Sequence, residues 1–311
     1  MMRRRTFVTM AAAAGTSLVA PARGFAQAEA NSATPTTDTA TPTTETTAQS
    51  GYAPVNGLQM YYEIHGSGAP LVLLHGAFGA IDLWGPILTS LAENHQVIAV
   101  EFQGHGHTAD IDRPFGYEQF ADDVAAVMDY LAIEQADVVG YSMGADTSLQ
   151  VAIRHPELVR KLVVISGKYR YDGEYPELLA GIQTLTPDVF AGSPNLESYL
   201  RNAPNPEDFP VLVEKIKAFF GKEYAWPEAD IRSIAAPTLL IIGDSDTVRP
   251  EHAVALFRLL GGGVAGDIVG LPDSQFAILP GTTHGTIVVE HIDRLVAMIE
   301  AFLAAPMPEA A

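Results

Sequence analysis

The sequence of 311 residues contains no cysteine. A chain without thiols has no disulfide framework, no thiolate ligand for a metal ion and no cysteine nucleophile. Apolar residues make up 48% of the chain, which is enough for one large core and fits a single domain with an insertion. The stability of the folded state therefore has to come from packing.

Basic residues are also scarce. The chain carries 18 Lys and Arg against 37 Asp and Glu, which gives a formal net charge of −19. Such a charge repels phosphate backbones and anionic lipid head groups. The composition therefore disfavours a role on nucleic acid or at a membrane surface, and we expect the partner to be a small molecule.

No apolar run near the N terminus is long enough to span a bilayer comfortably, but residues 1–28 have the order of an export signal. Arg3–Arg5 precede the weakly apolar stretch Phe7–Ala20, and Ala26-Gln27-Ala28 offers a small-x-small cleavage pattern. The run Arg4-Arg5-Thr6-Phe7 resembles a twin-arginine signal. The sequence predicts a periplasmic or secreted protein, and an uncleaved disordered tail is the alternative.

After the signal, residues 29–50 are dominated by Thr, Ala, Pro and Ser. A segment of this composition buries too little apolar surface to order itself, so we predict a linker. The folded domain is expected at 51–305, followed by a tail at 306–311.

Within the domain, short apolar runs alternate with longer segments of helical periodicity, which predicts an α/β fold with a mostly parallel central sheet flanked by helices. The predicted strands are Leu58–His65, Leu71–His75, Val97–Phe102, Val138–Tyr141, Leu162–Ser166, Thr238–Ile242 and Phe276–Leu279. The predicted helices are Tyr117–Leu131, Gly144–Arg154, Glu251–Leu260 and His291–Leu303. Residues 167–236 contain no strong strand, so we interpret them as a helical cap over the carboxyl ends of the strands.

The motif Gly140-Tyr141-Ser142-Met143-Gly144 follows an apolar strand and opens a helix. In this context G-x-S-x-G indicates a nucleophile held on a tight strand-to-helix turn, where side chains at the two glycine positions would collide with neighbouring elements. Ser142 is the candidate nucleophile. The Met143 N–H at the helix N-terminus is a candidate oxyanion donor.

A second oxyanion donor is expected in the loop after an earlier strand, where His75-Gly76-Ala77-Phe78 stands. Gly76 lets this backbone approach a substrate carbonyl, and we assign the donor to the Ala77 N–H. His75 is interpreted as a brace for the loop and not as the base. By their positions, Phe78 and Tyr141 are the best candidates for a substrate pocket.

Activation of a serine hydroxyl requires a base and an acid that orients the base. His284 lies in a loop after the last strand and Asp246 follows the strand before it, so Ser, Asp and His occur in the chain order of an α/β-hydrolase. Asp244 is the competing acid. We favour Asp246 and expect Asp244 to bond backbone N–H groups of its own turn.

From about Leu58 to Leu303 the chain resembles the α/β-hydrolase superfamily, especially its small serine esterase, perhydrolase and carbon–carbon hydrolase branch. The resemblance rests on the HG loop at 75–76, the elbow at 140–144, and Gly243-x-x-Asp246 followed by the Pro280-Gly281-x-x-His284 loop. It implies nucleophile, base, acid and oxyanion donors at the positions already named. Two features depart from the family pattern: Gln103 stands where a basic residue is usual, and Asp146 follows the elbow, where we expect a solvated or capping carboxylate.

The function expected from these motifs is hydrolysis of a carboxylic ester or lactone through an acyl-enzyme, without a cofactor. A perhydrolase and a carbon–carbon hydrolase would use the same triad, and a low-turnover binding protein on the same fold is a further alternative. A nucleophilic aspartate mechanism is disfavoured because Ser142 occupies the elbow. His105 and His107 lack a defined ligand geometry, so no metal site is expected.

Overall fold

An eight-stranded sheet forms the centre of the domain. The computed structural model describes residues 48–308, so the predicted signal peptide, most of the predicted linker and the last three residues of the tail lie outside the described residues. The strands are β1 (Gln49–Val55), β2 (Leu58–His65), β3 (Ala69–Leu74), β4 (His95–Val100), β5 (Ala136–Tyr141), β6 (Val159–Ile165), β7 (Thr238–Ser245) and β8 (Gln275–Thr283).

The strand order is β1-β2-β4-β3-β5-β6-β7-β8. From β4 to β8 all neighbours pair in parallel, whereas β1 and β2 form an antiparallel hairpin joined to β4. Asn56 and Gly57 turn this hairpin with φ values of 48° and 85°, the conformation that two-residue Asn-Gly turns supply. β1 starts two residues before the predicted start of the domain, and the sequence patterns had not indicated it as a strand.

The middle strands are buried on both faces, as expected for parallel strands covered by helices. Every residue of β5 is buried, and its uncharged run Val138–Tyr141 explains why the strand was recognisable in the sequence. One face of the sheet packs against the helices Tyr117–Tyr130 and Met143–Arg154. The other face packs against the helices Gly85–Leu91 and Ile292–Ala304. The predicted α/β fold class is confirmed.

Ten α-helices are described: α1 (Gly85–Leu91), α2 (Tyr117–Tyr130), α3 (Met143–Arg154), α4 (Pro176–Gln183), α5 (Pro194–Asn202), α6 (Phe209–Phe220), α7 (Glu228–Arg232), α8 (Pro250–Leu259), α9 (Gly266–Val269) and α10 (Ile292–Ala304). The four helices predicted from periodicity correspond to α2, α3, α8 and α10. In the described part of the chain, no helix combines the length and apolarity needed to cross a membrane.

The cap consists of α4 to α7, inserted between β6 and β7. Its two stems are joined by backbone hydrogen bonds, because the Trp226 N–H donates to the Tyr169 carbonyl at 3.1 Å and the Tyr171 N–H donates to the Tyr224 carbonyl at 2.8 Å. Aromatic side chains fill its interior: Phe209 packs against Phe190 with ring centroids 5.3 Å apart. The predicted insertion therefore folds as a helical cap.

Candidate active site

The nucleophile elbow at the end of β5 holds Ser142 with φ of 56° and ψ of −119°. This left-handed backbone is costly for a residue with a Cβ atom and persists only where the surrounding structure enforces it. The two motif glycines remove the clashes: a Cβ atom at Gly140 would lie 2.2 Å from the Gly144 carbonyl oxygen, and one at Gly144 would lie 2.1 Å from the Leu74 carbonyl oxygen. The tight packing of α3 against β3 and β5 therefore requires glycine at both positions.

Ser142, His284 and Asp246 are brought together from three loops at the carboxyl end of the sheet. The Ser142 Oγ lies 2.9 Å from the His284 Nε2, and the His284 Nδ1 lies 2.8 Å from the Asp246 Oδ1. These are hydrogen-bond distances in the order nucleophile, base and acid. Although 142 residues separate the serine from the histidine, the arrangement can move a proton from the hydroxyl to the imidazole.

The Asp246 carboxylate is buried, with 6% of the residue exposed. Its Oδ2 accepts the Ser166 hydroxyl at 2.6 Å and the Gly243 N–H at 3.0 Å, while its Oδ1 accepts the Thr247 N–H at 2.7 Å. Burial raises the pKa of Asp246, but the bond and charge of His284 together with these donors bring it down to about 2. The carboxylate is therefore ionised at neutral pH and can hold the imidazole N–H.

His284 is held from two sides. Burial lowers its pKa, but the hydrogen bond and negative charge of Asp246 outweigh this effect, so that the pKa rises above the ordinary 6.5. The Tyr141 hydroxyl donates to the backbone carbonyl of His284 at 2.8 Å. Tyr141 is 7% exposed, and its hydroxyl braces the loop that carries the imidazole. The side chain of Tyr141 thus supports His284, whereas we had expected it chiefly as a pocket residue.

The residues expected to form the oxyanion hole lie beside the elbow. Met143 is the first residue of α3, so its N–H belongs to the helix N-terminus, where partial positive charge favours a developing oxyanion. A Cβ atom at Gly76 would lie 3.2 Å from the Ser142 Cβ atom. The loop that contains Ala77 therefore passes directly over the nucleophile because it has a glycine at this point.

His75 bonds the backbone of its own loop and of the loop that follows β4. Its Nδ1 bonds the Gly76 carbonyl at 2.8 Å, and its Nε2 accepts the Phe102 N–H at 3.2 Å. Complete burial, with a smaller effect from nearby His105, lowers its pKa to about 3. These contacts are those of a neutral bracing histidine.

Asp244 is exposed, and its partners differ from those expected. Its two carboxylate oxygens accept the N–H groups of Gly281 and Thr282 at 2.9 and 3.1 Å. These two bonds are the largest causes that lower the pKa of Asp244, and bonds to the Ser245 side chain and to its own backbone contribute less, so the expected bonding within its own turn is only the minor part. Because Gly281 and Thr282 belong to β8, the carboxylate mainly links two neighbouring strands, just before His284 follows the end of β8.

Asp146 also departs from expectation. It is fully buried and bonds Lys168 twice, at 2.6 Å to the backbone N–H and at 3.0 Å to Nζ. The Lys168 Nζ also lies 3.4 Å from a Glu174 carboxylate oxygen, and the Tyr224 hydroxyl donates to Asp146 at 3.2 Å. The expectation of a solvated or capping carboxylate is wrong, because the base of the cap covers the first turn of α3 and supplies a buried cation.

Gln103 stands where the family pattern has a basic residue, and its side-chain amide makes the hydrogen bonds at this position. Its Nε2 donates to the Asp110 carboxylate at 2.7 Å and to two backbone carbonyls, while its Oε1 accepts from the Arg113 guanidinium at 2.8 Å. A neutral amide thereby organises the loop after β4. In residues 48–308, no three His, Asp or Glu side chains converge on a metal-sized site.

Ser166 was missed by sequence reasoning although it touches the triad acid. It follows β6 with φ of 56°, is 2% exposed and donates to Asp246. A serine at the end of a buried strand gives no signal of its own, because such residues commonly bond the local backbone. Only its position opposite the Asp246 loop shows its role as a support for the carboxylate.

Replacing Ser166 by Ala is expected to lower kcat about 10-fold and the free energy of unfolding by about 1.5–3 kcal/mol, because a hydrogen bond to a charged group is lost. Ser148→Ala is the matched control, since this buried serine donates to the Ala145 carbonyl and does not touch the triad. Steady-state kinetics and urea unfolding measure both effects. An equal loss of kcat in the two variants would contradict the assigned role.

The fold agrees with that of known proteins. Residues 69–220 match the family described as alpha/beta hydrolase fold. The chain is 29% identical over 261 residues to a protein of Azorhizobium caulinodans named as the carbamate hydrolase RutD, covering 75% of this chain and 91% of that protein. It is 30% identical over 216 residues to the 2-hydroxymuconate semialdehyde hydrolase of Pseudomonas sp. strain CF600, covering 62% and 76%.

Solved structures show the same fold. The enol-lactonase from Burkholderia xenovorans superposes with a TM-score of 0.62 at 20% identity, covering 82% of this chain and all of that one. The carboxylesterase CesB from Bacillus subtilis gives 0.64 at 20% identity, covering 84% and 93%. The match to the family model and the 30% identity to the Pseudomonas hydrolase, of which 76% is covered, show that the chain belongs to the α/β-hydrolase superfamily and is a hydrolase.

Proposed function

We propose that the protein is a serine hydrolase that cleaves carboxylic esters or lactones through an acyl-enzyme on Ser142. The observation that carries this proposal is the chain of two hydrogen bonds, 2.9 Å from Ser142 to His284 and 2.8 Å from His284 to Asp246. The ionised Asp246 selects the imidazole tautomer with its proton on Nδ1, which leaves Nε2 free to accept the serine proton.

In the proposed reaction, the Ser142 Oγ attacks the substrate carbonyl carbon while its proton passes to the His284 Nε2. The carbonyl oxygen gains the negative charge, and the Ala77 and Met143 N–H groups stabilise it. Collapse of the tetrahedral intermediate breaks the bond to the alkoxide, which takes the proton from His284. Water, deprotonated by the same imidazole, then attacks the acyl-enzyme and releases the acid and free Ser142.

The second candidate function is another bond cleavage by the same triad. Two relatives are named as a carbamate hydrolase and a 2-hydroxymuconate semialdehyde hydrolase. Carbamates and carbon–carbon bonds are therefore the alternative substrates to test. Peroxide in place of water would make the enzyme a perhydrolase. A low-turnover binding protein is the candidate from a different class, and a measurable steady-state rate would exclude it.

A substrate panel tests the proposal. It contains aryl esters of rising acyl length, simple and large-ring lactones, an aryl carbamate and a dienone, each assayed with the wild type and with Ser142→Ala. We expect neutral, medium or bulky esters to be cleaved fastest, because Phe78, beside the proposed oxyanion donor, packs against Phe190 of the cap with ring centroids 4.6 Å apart. Preferential cleavage of the carbamate or dienone would replace the ester proposal.

Activity is expected to rise with pH through a single ionisation somewhat above 6.5, because only neutral His284 accepts the serine proton and Asp246 raises its pKa. Below that pH the imidazole is protonated and kcat/KM falls about tenfold per pH unit. In Asp246→Asn the negative charge is lost, so the pKa of His284 should fall and the rise of kcat/KM should occur at lower pH. A profile of kcat/KM from pH 5 to 9 for both proteins checks this. A wild-type limb well below 6.5 would contradict it.

We further propose that the protein is exported and acts outside the cytoplasm. The support is the order of arginines, apolar stretch and small-x-small pattern in residues 1–28. N-terminal sequencing of the protein recovered from a periplasmic extract should begin after Ala28. A recovered chain that starts at Met1 or Met2 would overturn this proposal.

A further inference from the structure

Helix α5 of the cap contacts the loop that carries Ala77, the proposed oxyanion donor. The Asn195 side-chain Nδ2 donates a hydrogen bond of 3.0 Å to the backbone carbonyl of Phe78. Asn195 is separated from Phe78 by 117 residues, and Phe78 is the next residue after Ala77. The cap is thereby bonded to the peptide between Phe78 and Gly79, two peptides after the one that carries the Ala77 N–H.

The loop has an unfavourable backbone at this point. Phe78 has φ of 59°, a conformation that is unfavourable for a residue with a side chain. The ring of Phe78 packs against Phe190 at 4.6 Å and lies 6.4 Å from Phe209, and both of these residues belong to the cap. Two rings of the cap thus pack against Phe78, in addition to the turn of the loop itself, in which the Gly79 N–H donates to the Gly76 carbonyl at 3.1 Å.

A second contact fixes α5 one turn further along. The Asp82 carboxylate, which follows the same loop, accepts the Ser198 hydroxyl at 2.7 Å and the Arg201 guanidinium at 2.8 Å. Asn195 and Ser198 are neighbours on one face of the helix because three residues separate them. α5 is thus bonded to the segment on both sides of Gly79, and a displacement of the cap would move the loop.

We propose that Asn195 is a positioning residue. Its amide holds the Phe78 carbonyl, and this fixes the loop so that the Ala77 N–H points at the developing oxyanion. This inference rests on the proposed acyl-transfer function of the site. Since an oxyanion donor acts only when charge develops in the transition state, displacing it lowers kcat and leaves the binding of substrate in the ground state unchanged.

The test uses Asn195→Asp, which keeps the shape of the side chain but removes its N–H donor. Asp is favourable in the first turn of a helix, so the variant folds. Gln183→Glu is the matched control, because Gln183 donates from its amide to the Lys217 carbonyl at 3.0 Å within the cap and does not contact the loop. Both proteins are assayed with an aryl ester and with the corresponding thionoester, whose sulfur accepts hydrogen bonds poorly.

We expect Asn195→Asp to lower kcat for the oxygen ester by about 10- to 100-fold with KM changed less than about threefold, and Gln183→Glu to leave both unchanged. The ratio of oxygen-ester to thionoester kcat should fall in Asn195→Asp alone, because the lost stabilisation is specific to an oxyanion. Circular dichroism and melting temperature monitor the fold of each variant.

Three results would overturn the inference. If wild-type turnover is retained in Asn195→Asp, the amide does not position the donor. If kcat falls but the oxygen-to-sulfur ratio stays constant, or falls equally in Gln183→Glu, the effect is a loosened cap. A wild type that cleaves no ester removes the proposed function and this inference together, whereas an active wild type with a silent Asn195→Asp removes the inference alone.

Discussion

Ser142→Ala and His284→Ala are each expected to lower kcat by about 10⁴- to 10⁶-fold while the fold stays intact. The serine supplies the nucleophile and the histidine moves its proton, so neither works without the other at the observed separation of 2.9 Å. Their losses should therefore not add, and the double variant should be about as slow as either single variant. Steady-state kinetics with circular dichroism measure the loss and the fold.

A fluorophosphonate provides an independent check on the nucleophile. It should label the wild type at Ser142 and leave Ser142→Ala unlabelled, as peptide mapping by mass spectrometry would show. Labelling at another serine would refute the assignment. A double variant far slower than both single variants would mean that the two side chains do not act as a unit.

Asp246→Asn is expected to lower kcat by about 10⁴-fold. The melting temperature should fall as well, because an amide nitrogen cannot accept the hydrogen bonds that one of the two carboxylate oxygens now accepts. The amide keeps the volume of the carboxylate, but it favours the wrong tautomer of His284 and removes the charge that stabilises the imidazolium. The carboxylate is buried and lies 2.8 Å from the imidazole Nδ1, so solvent does not replace it.

Asp244→Asn is the matched control, two residues away. It weakens the bonds to the Gly281 and Thr282 N–H groups, so the melting temperature should fall slightly while kcat changes less than about tenfold. Kinetics and thermal denaturation of both variants decide between the two aspartates. A large loss of kcat in Asp244→Asn with turnover retained in Asp246→Asn would reverse the assignment.

Most of the fold could be predicted because its strands are buried on both faces and read as continuous apolar runs. β5 is an example, since all six of its residues are buried. The elbow was recognisable for a different reason: the left-handed Ser142 and the close approach of α3 impose glycine at two fixed positions. Such steric requirements can be recognised from the local sequence alone. β1 could not be recognised in this way, because Gly51 and Pro54 interrupt its pattern and it pairs at the edge of the sheet.

The contacts around the site could not be predicted because they join residues far apart in the chain. Asp146 meets Lys168 after 22 residues, and Ser166 meets Asp246 after 80. Each of these residues has an ordinary surface or turn role in most sequences, so no local pattern distinguishes them. The same holds for Asn195, whose partner Phe78 is 117 residues away in the chain.

The position of His284 after an edge strand determines which part of the site is lost first on heating. β8, which leads into His284, is the last strand of the sheet and has a neighbour only in β7, with five of its nine residues exposed. Edge strands open by local unfolding at lower free energy than the central strands, which open only with the whole domain. Fraying at β8 would carry the imidazole away from Ser142 while β3 and β5 still hold the elbow. Loss of turnover on warming should therefore precede the cooperative melting of the domain and be reversible on cooling.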